Sequence, residues 1–284
     1  MDLPKEVLPP SPKLQPKYNT HKLGLRVGVD AMAAGAAGVL VAPVITMIDK
    51  GIMQNASGAN TLGGSLQKSA AEMLRRPLKF VGSRPFLLVF TLYFGTYMTA
   101  NTTDTISTTL NSTPLDTTTS GTSKFLATST ANLSLCLFKD AQFTKLFAAA
   151  NTPVRPVPLP TFALFTIRDA LTIFASFNLP PRLAPHFSDA MGAEIQRNWI
   201  TAPSAAQFVT PAAVQLFSTP LHLLGLDLYN RPQVSAGDRV ARVLRDWGKS
   251  ALARVGRIVP AFGVGGVVNM KVRGWGMRNL QERS

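Results

Sequence analysis

An all-α membrane protein is the fold class this sequence predicts, with six transmembrane helices in three pairs related by pseudo-threefold symmetry. Two observations carry it first. Charged residues make up only 15% of the chain, below the ~25% usual in soluble domains, and they gather between long apolar or small-residue stretches. A chain of 284 residues has room for about six spans of roughly 20 apolar residues with their loops.

In chain order, the first helix is expected over about 25–54. It is rich in Ala31, Ala34, Gly35, Ala37 and Gly38, small residues that let membrane helices approach closely, with a kink at Pro43. The second is expected over 84–105. Arg84, Leu88, Thr91 and Gly95 fall on one face, and a polar stripe of this kind faces a bundle interior or a water-filled space. The third covers 123–147. The fourth covers 160–178 and is ended by Pro180 and Pro181, and the fifth covers 205–230 with a kink at Pro220. The sixth covers 257–271 and is short for a span, so it continues towards Trp275.

Residues 57–84 and 231–257 are strongly basic, and each has room for an amphipathic surface helix, with Val240, Val243, Leu244 and Trp247 on one side of the latter. Residues 101–123 hold no Lys or Arg, and form a Thr-rich connection with Asp104 and Asp116. The segment 180–203 is nearly charge-balanced. Basic loops thus follow odd helices, as the positive-inside tendency expects of six spans. The net charge of +14 raises nucleic-acid binding, but the basic residues flank apolar segments and no nucleic-acid-binding motif occurs. The expected partners are the bilayer, with anionic lipid at the basic loops, and no nucleic acid. The single cysteine, Cys136, excludes an intramolecular disulfide. Residues 1–22 read as a disordered Pro-rich arm without the pattern of a cleavable targeting peptide.

An internal repeat is suggested by two triples. Asp49, Asp140 and Asp227 fall near the ends of the odd helices, and Arg84, Arg168 and Arg257 near the starts of the even ones. After the arm, the chain therefore divides into 23–115, 116–203 and 204–284, one helix pair each.

A chain of three such pairs resembles the mitochondrial carrier family. The run 34–38 followed by Pro43, Asp49-Lys50 and Met53-Gln54 resembles that family's first odd helix, Arg257 to Ala261 resembles the opening of the sixth, and Arg168-Asp169 resembles an Arg-acid pair at a substrate contact point. The carrier signature is incomplete: the positions three after each Asp are Ile52, Phe143 and Asn230 rather than basic, and Lys50, Lys139 and Arg231 lie out of register. The resemblance implies a solute transporter of the mitochondrial membrane, inner rather than outer. It would move small anions or amino acids by alternating access, with Arg84, Arg168, Asp169 and Arg257 as substrate-binding residues and Asp49, Lys50, Asp140 and Asp227 as gate candidates. The alternative it leaves is a carrier-derived scaffold or adaptor held by protein partners, possible in the outer membrane.

No enzyme is expected. His21, His186 and His222 have no partner ligands at metal spacing, so neither metal nor cofactor is expected. No phosphate loop or nucleophile elbow occurs. The glycines at 263, 265 and 266 read as close helix packing.

Overall fold

The computed structural model describes residues 18–119, 121–149 and 156–282. The expected disordered arm falls largely in 1–17, outside the described residues. Its last residues are tied down: the Asn19 N–H donates to the Thr109 carbonyl at 2.9 Å, and Arg26 donates to the Asn19 carbonyl at 2.8 Å.

Every regular element described is helical. In order they are α1 (Leu23–Ser57), α2 (Leu62–Arg75), α3 (Pro77–Val81), α4 (Arg84–Asn111), α5 (Thr122–Leu146), α6 (Leu159–Phe177), α7 (Leu179–Ala190), α8 (Ala193–Asn198), α9 (Ala202–Asn230) and α10 (Ala236–Val255). A π-helical segment, Val259–Gly265, then leads into α11 (Gly266–Glu282). Packing runs α1 to α4, α4 to α5, α5 to α6, α6 to α9 and α9 to α10, and α11 returns to α1.

The expectation of six membrane-spanning helices is corrected. Among the described residues, three segments are long and apolar enough to cross a membrane: Leu23–Ser57, Leu159–Ser176 and Ala236–Glu282. The long helices α4, α5 and α9 miss that standard because hydroxyl, amide and charged side chains are spread through them. The three helix pairs are also unlike one another. Surface helices α2 and α3 separate α1 from α4, and α10 follows α9, but no helix joins α5 to α6 among the described residues. Pro180 and Pro181 do not simply end the fourth helix. They open α7, because the first turn of a helix has no use for their missing N–H groups.

The Thr-rich stretch is helix rather than flexible loop for half its length. Thr96, Thr99, Thr103 and Thr109 each donate their hydroxyl to the carbonyl four residues earlier, at 2.7–2.8 Å. Such back-bonding hides hydroxyls within the helix itself, so a polar sequence can run through an apolar environment. Beyond α4, the Asp104 carboxylate accepts from the Thr119 N–H at 2.8 Å and pairs with Lys124 at 2.7 Å.

Small residues set the helix spacing. Ala33, Ala34, Ala37 and Ala42 on α1 are fully buried. Gly58 ends α1 with φ 80°, and its N–H caps the Asn55 and Gln54 carbonyls, a geometry that costs other residues strain. Gly265 allows the closest approach: a Cβ there would sit 2.4 Å from the Tyr97 hydroxyl and 2.6 Å from Val41. Tyr97 in turn donates to the Ala261 carbonyl at 2.7 Å, within the π-helical segment, where the usual helical pairing is altered. The outward surface is apolar, with Leu25 59%, Leu40 52% and Phe217 72% exposed, as lipid contact allows.

One end of the bundle is sealed by buried charge. Arg273 on α11 donates to Asp30 on α1 at 2.8 Å. Arg26 donates to the Thr105 carbonyl at 2.9 Å and the Thr108 hydroxyl at 2.7 Å. Asn101 and Asn269 exchange amide hydrogen bonds at 2.8 Å.

Gly276 of α11 is the sharpest packing test, because a Cβ there would meet the branched Val29 side chain at 2.6 Å. Gly276→Ala should lower thermal stability in detergent by the equivalent of about 1–3 kcal/mol. Gly35→Ala, with nothing within 4 Å, should be neutral or raise stability by up to about 1 kcal/mol. Equal unfolding temperatures for the two variants would contradict this packing.

Candidate functional site

About 28 Å along α1 from Asp30, at 1.5 Å per residue, lies a second and larger set of buried charges. Asp49 on α1 pairs through one oxygen with Lys139 of α5 at 2.6 Å and through the other with Arg257 at 2.7 Å. Lys139 also pairs with Asp140 at 2.6 Å. Asp140 passes the chain to Arg168 of α6 at 2.6 Å, and Arg168 pairs with Asp169 at 2.6 Å. Arg168 also donates to His222 Nδ1 of α9 at 2.7 Å. One continuous relay of ion pairs and hydrogen bonds therefore joins α1, α5, α6, α9 and the turn after α10, with Tyr93 of α4 on the cavity beside Arg257. Burying these charges is costly, and mutual pairing offsets the cost.

The relay lines a cavity of about 80 Å³, against the 10–15 Å³ that one water needs. Tyr93, Cys136, Gln215 and Arg254 complete its charged and polar wall. Arg254 is 5% exposed. Its Nε donates to the Gln215 carbonyl oxygen at 2.9 Å, and no carboxylate lies in ion-pair range of it among the described residues. On the same cavity, Asp169 Oδ2 is buried without a hydrogen-bond partner among the described residues. The wall thus offers one unpaired guanidinium and one free carboxylate oxygen.

The structure brings together some of the residues singled out in the sequence and separates others. Arg168, Asp169 and Arg257 line the cavity with Asp140, and Asp49 lies directly behind. Arg84 does not line it: it is exposed and, among the described residues, donates to Gln142 at 3.3 Å. A position at the first turn of α4 puts it at the bundle's end, well before Tyr93 on the same helix. Lys50 turns away to Glu72 at 3.6 Å. Asp227 joins a separate set, pairing with Arg231 one turn on and with Arg239 of α10 at 2.7 Å. The three aspartates therefore form no ring. Asp49 and Asp140 meet through Lys139, while Asp227 anchors α10.

Arg254 and Gln215 were not singled out in the sequence, and Lys139 and His222 were noted there but not placed among the site residues. A signal for Arg254 existed in the sequence. Arg239, Val243, Asp246, Ser250 and Arg254 recur at helical spacing and form the buried face of α10, whereas Val240, Leu244 and Leu252 are exposed. Val240, Val243, Leu244 and Trp247 share one side of this helix by spacing, but of the four only Val243 is buried, and the buried strip carries Arg239, Asp246, Ser250 and Arg254.

A chain whose described regular elements are all helical, with membrane-length apolar segments and a buried polar cavity, is by class an α-helical membrane protein. Residues 33–277 match the family described as probable citrulline exporter, and the chain belongs to that family. A search of curated proteins finds no significant match. The family assignment overturns the resemblance to mitochondrial carriers, and the mitochondrial location that rested on it falls too. The matching features were generic to helix pairs, while the carrier's paired gate positions were absent from the outset.

Removing the shared cation should be the most damaging change in the relay. Lys139→Met leaves Asp49 and Asp140 each short of a partner, and should cost about 3–5 kcal/mol of stability. Arg84→Ala should leave the unfolding temperature in detergent unchanged. A relay that contributes nothing would show the two variants behaving alike.

Proposed function

We propose that this chain exports amino acids, with citrulline as substrate, and that the cavity at Arg254 is its binding site. The observation that carries the reading is the pair of unmet groups on one wall. The Arg254 guanidinium suits the α-carboxylate, which it can bind through two parallel hydrogen bonds. Asp169 Oδ2 suits the α-ammonium. Arg168, Asp140, Lys139 and Arg257 are already held in ion pairs, Arg257 through Asp49, so Arg254 and Asp169 Oδ2 are the charged groups without an ion-pair partner and are left for the solute. Such preorganisation lowers the ordering cost of binding. The family name supplies citrulline, and the α-amino-acid chemistry of the site supports it.

Transport requires the solute to reach both sides in turn. The sealed end at Arg26, Asp30 and Arg273 closes one route, so alternating access in this reading includes separation of those pairs.

Purified protein in liposomes loaded with labelled citrulline should give saturable efflux. Arg254→Gln should reduce it at least tenfold or so, the scale of a lost charge-assisted hydrogen bond. Cys136, the single cysteine, lines the cavity and gives an independent readout. A small thiol-specific reagent should block efflux, excess citrulline should slow the block, and Cys136→Ser should resist it. Folded wild-type protein that moves no citrulline would sink the proposal.

A further inference from the structure

The cavity's charges do not balance, and the imbalance bears on which amino acids can enter. Four cations stand in or against its wall, Lys139, Arg168, Arg254 and Arg257, with three carboxylates, Asp49, Asp140 and Asp169. His222 adds no charge, because its Nδ1 faces an Arg168 N–H at 2.7 Å and must accept there. Five of the six carboxylate oxygens are engaged: both of Asp49, both of Asp140, and Oδ1 of Asp169. The excess cation is Arg254. It is left so because the side chain set against it is Gln215, a neutral amide whose Oε1 accepts from Arg254 Nε at 2.9 Å and whose Nε2 donates to the Pro211 carbonyl at 2.9 Å.

Resting on the reading of this cavity as an amino-acid site, we infer that the neutral Gln215 beside Arg254 makes it select against cationic amino acids. Citrulline and arginine have nearly the same shape and length. They differ at the side-chain tip, where a neutral ureido oxygen replaces a cationic guanidinium nitrogen. A pocket cannot separate two such solutes by size. Charge can separate them. The α-ammonium takes the one free oxygen, so a second cation finds every carboxylate oxygen occupied and a site already positive. In a poorly screened interior, repulsion of that kind is strong. A ureido group needs no counter-charge and meets no such penalty. The same excess disfavours an amino acid whose side chain ends in a cationic amine, such as ornithine.

The selection should be on the order of 100-fold for citrulline over arginine or ornithine, the scale expected of like-charge juxtaposition at short range. Two measurements read it: efflux from liposomes loaded with each amino acid, and thermal stabilisation of the purified protein by each, which needs no transport. Gln215→Glu places a carboxylate against Arg254 and should bring arginine to within about tenfold of citrulline while weakening citrulline itself. Cys136→Asp adds a carboxylate elsewhere on the wall, and should relax selection in the same direction if Gln215→Glu does not fold. Comparable binding and efflux of arginine and citrulline by the wild type would overturn the inference while leaving amino-acid transport standing. Selection that persists unchanged in both variants would overturn it as well. Stabilisation by citrulline but not arginine, without efflux of either, would uphold the selection and remove the transport reading instead.

Discussion

Six charged side chains held in a row organise the centre of this molecule: Arg257, Asp49, Lys139, Asp140, Arg168 and Asp169. No member is stable alone in an apolar interior, since an isolated buried charge carries a large desolvation cost. Each is tolerable only beside its neighbours, so α1, α5, α6 and the turn after α10 must meet at one level. The other features of the cavity follow from that constraint. Helices pinned at this level leave space between the pairs, and the groups without partners, Arg254 and Asp169 Oδ2, are those that line it.

Polar groups elsewhere are handled by a different device. In α4 and α6 several threonine hydroxyls, those of Thr96, Thr99, Thr103, Thr109 and Thr166, return to carbonyls of their own helix, which removes their need for a tertiary partner. The sealed end combines both strategies, with Thr105 donating at 2.6 Å to Asp30 while its own carbonyl receives Arg26. The bundle therefore keeps a polar interior at two levels under an apolar exterior. In α10 Arg239, Asp246 and Arg254 are buried, while Arg245 and Lys249 stay exposed beside Val240, Leu244 and Leu252.

Comparison of the aspartates shows how a sequence triple misleads. Asp49, Asp140 and Asp227 occupy equivalent places near helix ends, and equal spacing suggested equal roles. Their fates differ because their nearest cations differ. Lys139 stands directly before Asp140 and reaches both it and Asp49, whereas Arg231 follows Asp227 by one helical turn and captures it locally. Spacing along a chain records helix phase, but not which helix faces which. For the same reason Arg84 and Arg257, matched in the sequence, end respectively on the surface and in the cavity wall.

Helical class, membrane character and the close-packed small residues of α1 were legible in the residue pattern, because periodicity and composition act locally and survive without tertiary detail. The start of every long helix through α9 was also legible to within a few residues, helped in α4, α6 and α9 by a proline in the first turn and in α4 also by the Ser83 cap. The number of apolar spans, the relay through Lys139, and the isolation of Arg254 against Gln215 were decided by packing. A buried charge acquires its meaning from the partners that distant helices bring, and Gln215 reads as an ordinary amide until the fold sets it beside a guanidinium with no counter-ion.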